Sequence, residues 1–553
     1  MSRQSVFFLS LKIFFSISCI NAALKVKILD GTIQGTEMKT RNGRTISAFF
    51  GIPYANPPTG NLRFKEPVAL KIKWTGVRSA VNETHSCLQK INGIVKGHED
   101  CLFLNVYSPV VNFDKRIQDN LFPVMVFIHG GGFVKGDISS KNYGPQYLLD
   151  RDIVLVTINY RLGVFGFLST GDNVVLGNIG LKDQVFALKW IQENIKAFSG
   201  DPNRVTLFGT EAGGVSVNLH ALTESTDGLF HQFIIHNGNV NAHWAYKNNT
   251  KFESDVKKFS EDLGCKGKKD EHLITCLQFK NPEQLLNEAM KNDDWGFPQL
   301  QWIPTNEPNS SNAYLTDDPL KLLRNNKIKD YPHIIGNVYD EGRYFTENYY
   351  GNKPNISKIR KAADKLIDGA ASYYATPKNE AQFKAAVHKY YFNDSLPTLD
   401  EFSMLDGYSK LMTDSCFLYP TVMFLHSSNP NAVSHFYLYS FGYQGKEGKV
   451  RTDKDIFKNA TVHGDWLRYL FPMNRTEIDK ADMPLIDLMV DLWTSFVTYG
   501  RPTSVAVTDS DFWEPHAESN GYLKIAKDDL NLDVTLEHNF YPERMDFWKT
   551  NAV

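Results

Sequence analysis

Arg204-Val205-Thr206-Leu207-Phe208-Gly209-Thr210-Glu211-Ala212-Gly213-Gly214-Val215-Ser216-Val217 reads as a β-rich run, a glycine-flanked turn and the start of a helix. Val205, Leu207 and Phe208 suit a buried strand. The glycines on either side of the turn allow a sharp reversal with close backbone packing. Such a strand-to-helix junction holds its central residue at the top of a sheet, where a reactive side chain would stand. That central residue is Glu211.

Working outward, the pattern around this junction alternates strand, helix and strand. Upstream, Val124-Met125-Val126-Phe127-Ile128 and Ile153-Val154-Leu155-Val156-Thr157-Ile158 are continuous apolar runs suited to strands buried on both faces. Cys101 to Tyr107 and Ser47 to Tyr54 predict further strands, and Lys25 to Gly35 a short hairpin. Leu188, Ile191, Ile195 and Phe198 give a helical face over Leu181 to Phe198, which Gly200-Asp201-Pro202 closes. Downstream, buried-type runs recur at Phe233-Ile234-Ile235, His333-Ile334-Ile335-Gly336 and Phe436-Tyr437-Leu438-Tyr439. Residues 250–330 and 350–420, richer in Lys, Glu and Asn, read as helical insertions capping the sheet. The expectation is α/β, a doubly wound and mostly parallel central sheet with helical insertions.

Composition agrees with a globular protein: 42% of residues are hydrophobic, 22% charged, and the formal net charge is -2. No block of like charge offers a phosphate-tracking surface, so nucleic acid is not an expected partner. At the start, Arg3 precedes an apolar run through Phe7, Phe8, Ile13, Phe14, Phe15 and Ile17, with small residues at Ala22 and Ala23. Residues 1–22 are read as a signal peptide cleaved near Ala22/Ala23, leaving residues 23–553 as a single secreted, soluble domain. The run is short for a bilayer span and Lys12 interrupts it, and no later stretch predicts a membrane span.

Acceptor triplets for N-glycosylation at Asn82, Asn248, Asn309, Asn355, Asn393, Asn459 and Asn474 point the same way. So does the cysteine spacing. Cys19 leaves with the signal, Cys87/Cys101 and Cys265/Cys276 are close pairs, and Cys416 stands alone. After an export signal, two local disulfides and one buried thiol are expected over free buried cysteines.

Acyl transfer to water needs a nucleophile, a base, a group that orients the base, and donors for a developing oxyanion. His129-Gly130-Gly131-Gly132-Phe133 follows the Val124 to Ile128 strand, where glycines let backbone N–H groups approach a ligand oxygen. The turn at Glu211 comes next, then Tyr339-Asp340-Glu341-Gly342, then His463-Gly464-Asp465. This chain order of elbow, acid and histidine is that of α/β-hydrolases. It makes Glu341 and His463 the candidate acid and base.

With these residues in place, the sequence resembles the type-B carboxylesterase/cholinesterase family, and its secreted insect branches in particular. The matching stretches are Gly51-Ile52-Pro53-Tyr54-Ala55, Glu99-Asp100-Cys101-Leu102, His129 to Phe133, Asn159-Tyr160-Arg161-Leu162-Gly163-Val164-Phe165-Gly166-Phe167 and Gly177-Asn178-Ile179-Gly180-Leu181-Lys182-Asp183-Gln184. They run in the family's order from about Val26 to about Phe547. The resemblance implies an α/β-hydrolase fold with a deep gorge and no metal or cofactor. It further implies oxyanion donors at Gly131, Gly132 and Ala212, acid Glu341, base His463, disulfides Cys87–Cys101 and Cys265–Cys276, and a ligand pocket near Phe133 and Trp244.

One departure is local. The family's Gly-Glu-Ser-Ala-Gly reads Gly209-Thr210-Glu211-Ala212-Gly213, with no change of length, and its Gln-Ser-Gly after the next strand reads His236-Asn237-Gly238. Thr210 offers no replacement, because its side chain should point away from the histidine. Glu211 is expected to form an ion pair with a protonated His463, and its longer side chain also to reach the oxyanion donors. Two functions follow as expectations. One is a binding protein for a hydrophobic or ester-like small molecule or an extracellular protein, without serine-esterase catalysis. The other is an active hydrolase of carboxylic esters, or one that uses Glu211 as a carboxylate nucleophile.

Overall fold

The computed structural model describes residues 24–552 apart from 114–120, 268, 292–299, 351–355, 395–398, 428–434, 446–459, 476, 505–511 and 529–530. The proposed signal segment, Asn355 and Asn459 lie outside the described residues.

Among the described residues, eleven strands form the central sheet: β1 (Thr36–Lys39), β2 (Thr45–Pro53), β3 (Phe103–Ser108), β4 (Phe122–Ile128), β5 (Val154–Ile158), β6 (Gly200–Thr210), β7 (Gln232–His236), β8 (His333–Val338), β9 (Phe436–Phe441), β10 (Gly521–Asp528) and β11 (Asn531–His538). Their order across the sheet is β11-β10-β9-β8-β7-β6-β4-β5-β3-β2-β1. From β5 through β10 every neighbouring pair is parallel, and the pairings at the two margins are antiparallel. This is the doubly wound α/β-hydrolase architecture expected from the alternating runs.

The continuous apolar strands are explained by two cores, one on each face. Along β4, Val124, Val126 and Ile128 enter one core while Met125 and Phe127 enter the other. The first core takes α1 (Ile179–Asn194) and α2 (Ala212–Leu222); the second takes α3 (Met483–Tyr499). The insertions are helical, including Phe252–Asp262, Ile356–Tyr374 and Glu401–Thr413.

Three details depart from the sequence reading. α1 stops at Asn194, and Ile195–Phe198 finishes as a tighter 3-10 turn. β6 begins at Gly200, ahead of the expected Val205, with an irregular register that absorbs Asp201 and Pro202. The β10–β11 hairpin was not anticipated; β11 has no buried residue, so its sequence lacks a strong apolar alternation.

The disulfides are Cys87–Cys101 and Cys265–Cys276, and Cys416 is a buried free thiol. Burial pushes that thiol's pKa up, which keeps it protonated. Asn82, Asn248, Asn309, Asn393 and Asn474 are all exposed. No described helix is long and apolar enough to cross a membrane.

Candidate active site

β6 delivers Glu211 to the strand-to-helix turn with φ 53° and ψ -113°. A non-glycine residue pays about 1–3 kcal/mol for such a conformation, so the surroundings must hold it there. They do so from both sides. Glu211 N–H donates to His236 O at 2.8 Å, and Val215 N–H donates to Glu211 O at 2.9 Å as α2 begins. Gly213 is required by packing, because a Cβ there would lie 2.1 Å from Ile128 O.

From this turn the Glu211 side chain crosses to the loop after β4. Its Oε2 accepts from Gly131 N–H at 2.5 Å and from Gly132 N–H at 2.9 Å. Glu211 is 6% exposed. Ala212 N–H, the third expected donor, makes no hydrogen bond to this carboxylate. The expected ion pair with His463 is also not formed: no Glu211–His463 contact within ion-pair distance occurs among the described residues. The carboxylate has gone instead to two backbone donors already pointed at one spot, which cost no ordering of another side chain.

Glu341 stands on the loop after β8, fully buried. His463 Nδ1–H donates to Glu341 Oε2 at 2.6 Å. The other oxygen, Oε1, accepts from Val338 N–H at 2.8 Å and from the Asn237 side-chain amide. The loops carrying the acid and the histidine are themselves joined, since Asp340 N–H donates to Thr461 O at 3.0 Å. Phe417, Phe345 and Tyr344 pack around the imidazole, with ring centroids 5.2, 5.4 and 5.9 Å away.

Asn237 was not singled out as a site residue from sequence. The departure His236-Asn237-Gly238 was the available signal, and both altered side chains have partners. Trp493 Nε1–H donates to His236 Nε2 at 2.9 Å, Tyr439 hydroxyl bonds Nδ1, and Trp466 stacks on the ring at 3.8 Å. Burial drives the His236 pKa well below its ordinary value, so this imidazole is a neutral strut.

Beside the glycine loop, Tyr160 hydroxyl donates to His129 O at 2.9 Å and its ring stacks on His129. Burial raises the pKa of Tyr160 and Tyr143, and the Glu211 charge adds to both shifts. Burial lowers that of His129. Phe133 and Trp244 are in packed core: Phe133 lies edge-on against Phe167, and Trp244 Nε1–H donates to Cys416 O at 2.9 Å. Neither lines the cleft near the glycine loop. That cleft, about 140 Å³, is walled by Leu88, Val134, Val164, Leu286, Leu300 and Trp302, among others, and Glu211 is not in its described wall. Among the described residues no cluster of three potential metal ligands exists.

Residues 22–548 match the carboxylesterase family profile. The chain belongs to the carboxylesterase family. Among its relatives, esterase E4 of Myzus persicae is 36% identical, covering 92% of this chain and 91% of that protein. Juvenile hormone esterase of Tribolium castaneum is 34% identical over 85% of this chain and 83% of its own length. The crystal structure of juvenile hormone esterase from Manduca sexta, with OTFP covalently attached, superposes with a TM-score of 0.82 at 29% identity, covering 96% of this chain and 99% of that one. This family member therefore shares its α/β-hydrolase fold and nearly its full length with those esterases.

Proposed function

We propose that this chain is a secreted carboxylesterase-family protein without serine-esterase catalysis, and that it acts by binding a hydrophobic small molecule. The observation that carries the reading is the Glu211 carboxylate seated on Gly131 and Gly132 N–H, where a reacting ester would place its oxygen. Glutamate stands at the position that carries serine in the family motif. The chain thus lacks the alkoxide nucleophile, and its own side chain competes for the donors that would stabilise a tetrahedral intermediate. Retention of the Glu341–His463 pair is compatible with this, because those groups also tie two loops together. The apolar walls of the cleft near the glycine loop support a small apolar ligand over a protein partner. The disulfides and exposed acceptor asparagines support export.

A carboxylate nucleophile is the competing chemistry. It is disfavoured by the two N–H bonds to Oε2, which draw electron density from the carboxylate and occupy the donors at once. The test is hydrolysis of a short-chain aryl ester by the natural protein and by Glu211→Ser. Loss of the nucleophile in a related triad leaves only about 10³–10⁴ of acceleration over water. The natural protein should fall at or below that residual, and Glu211→Ser should exceed it by at least about 100-fold. Esterase-level turnover in the natural protein would refute the proposal.

A further inference from the structure

The helix Glu380–Phe392 and the C-terminal helix Pro542–Asn551 meet along a seam with two unlike sides. The inner side is sealed. Trp548 is fully buried, its Nε1–H donates to the Tyr391 hydroxyl at 2.8 Å, and Arg544 pairs with the buried Asp414. The outer side is an open groove of about 540 Å³ lined by Ala386, Lys389, Tyr390, Asn393, Asp394 and Phe547. Two of these walls are aromatic: Tyr390 and Phe547 stack with ring centroids 4.2 Å apart, and Tyr390 is still 44% exposed. Ala386, Lys389, Tyr390 and Asn393 recur at the spacing that puts them on one helix face. The helix stops at Asn393, whose φ is 50° and whose N–H donates to Lys389 O at 3.0 Å; Asp394 follows with φ 55° and donates to His388 O at 3.2 Å. Asn and Asp take this left-handed geometry more readily than other side-chain-bearing residues, and the closed turn fixes the point from which the Asn393 side chain departs. Asn393-Asp394-Ser395 is also an acceptor triplet, so an exposed aromatic pair and a modifiable amide line the same groove.

Resting on the export reading above, we propose that Asn393 carries an N-linked glycan whose first sugar lies on the Tyr390–Phe547 pair and holds the C-terminal helix against Glu380–Phe392. In the transfer the Asn393 amide nitrogen bonds to the anomeric carbon of a lipid-pyrophosphate-linked oligosaccharide, that carbon's bond to the phosphate oxygen breaks, and the amide proton leaves with the pyrophosphate. A pyranose ring has a face of C–H bonds and a rim of hydroxyls. The C–H face suits the electron-rich face of an aromatic ring, and Lys389 and Asp394 offer the rim a donor and an acceptor. A free sugar would hold such a surface weakly. One attached at the groove's own wall meets it at high effective concentration, which selects the glycan over an untethered partner. Covering the aromatic pair also removes apolar surface from water on a chain built for export.

The experiment uses the full chain expressed in cultured eukaryotic cells, read by glycopeptide mass spectrometry and by amide hydrogen exchange over Pro542–Asn551. Asn393 should carry a glycan. Ser395→Ala, which removes the acceptor triplet and keeps every described wall of the groove, should speed exchange of that helix about threefold to tenfold, the range expected for one aromatic contact. Ser395→Thr, which keeps the triplet, should exchange like the natural protein. Tyr390→Ala should cost more protection in the glycosylated chain than in the Ser395→Ala background. Circular dichroism checks that Tyr390→Ala is folded, and the two Ser395 variants decide the matter if it is not. Equal exchange in Ser395→Ala and Ser395→Thr would overturn this inference, as would strictly additive losses from Tyr390→Ala and Ser395→Ala. Glycans confined to the other acceptor asparagines would overturn it while leaving the export reading standing, whereas a chain retained in the cytosol would bring down both.

Discussion

Glu341 and Glu211 are two buried carboxylates of one site, and they are satisfied in opposite ways. Glu341 spends both oxygens on the protein: His463 takes one, and Val338 N–H with the Asn237 amide takes the other. Glu211 commits only Oε2, to two glycine N–H groups, and Oε1 accepts no hydrogen bond from the described residues. The first arrangement is closed and fixes three segments of chain relative to one another. The second leaves one oxygen without a donor among the described residues. Burial alone does not separate them; the count and direction of donors does.

Substitution should expose the difference as stability. Glu341→Ala strands a buried N–H, a buried amide and an imidazole, so it should cost about 3 kcal/mol. A clear fall in the urea midpoint would be the sign. Glu211→Ala, at a side chain that is not fully enclosed, lets water reach the glycine donors and should cost about 1 kcal/mol or less. Equal losses would erase the distinction drawn between the two carboxylates.

Asn237→Ala removes one of the three donors to Glu341 and keeps the other two, so an intermediate loss of about 1–2 kcal/mol is expected. Asn237→Ser, with a shorter donor, should recover part of it in the same unfolding experiment. No loss in either variant would mean that the amide contact is incidental.

Much of this is legible in the amino-acid sequence itself. The strands β4 to β9 announced themselves because burial on both faces demands uninterrupted apolar runs such as Val124 to Ile128. The order of glycine loop, Glu211 turn, Glu341 and His463 was also readable, because sheet order and loop position are recorded in the sequence of elements. The β10–β11 hairpin was not, since a marginal ribbon buries too little to impose a pattern. Nor could the sequence decide between His463 and the glycine loop as the partner of Glu211. That choice depends on the side chain's departure angle from a positive-φ residue and on how firmly the competing donors are already held. Asn237 was missed for a related reason: its amide reaches an acid carried by a loop about a hundred residues away.

The backbone at residue 211 is held by His236 O and by the first turn of α2, so whatever side chain stands there leaves from the same point in nearly the same direction. Position 211 is in that respect a depth gauge. A serine hydroxyl would stop well short of the glycines, an aspartate would fall one methylene short of them, and glutamate spans the gap. The length of one side chain, read against a fixed origin, sets whether the two glycine donors are met from within the chain or left for something else.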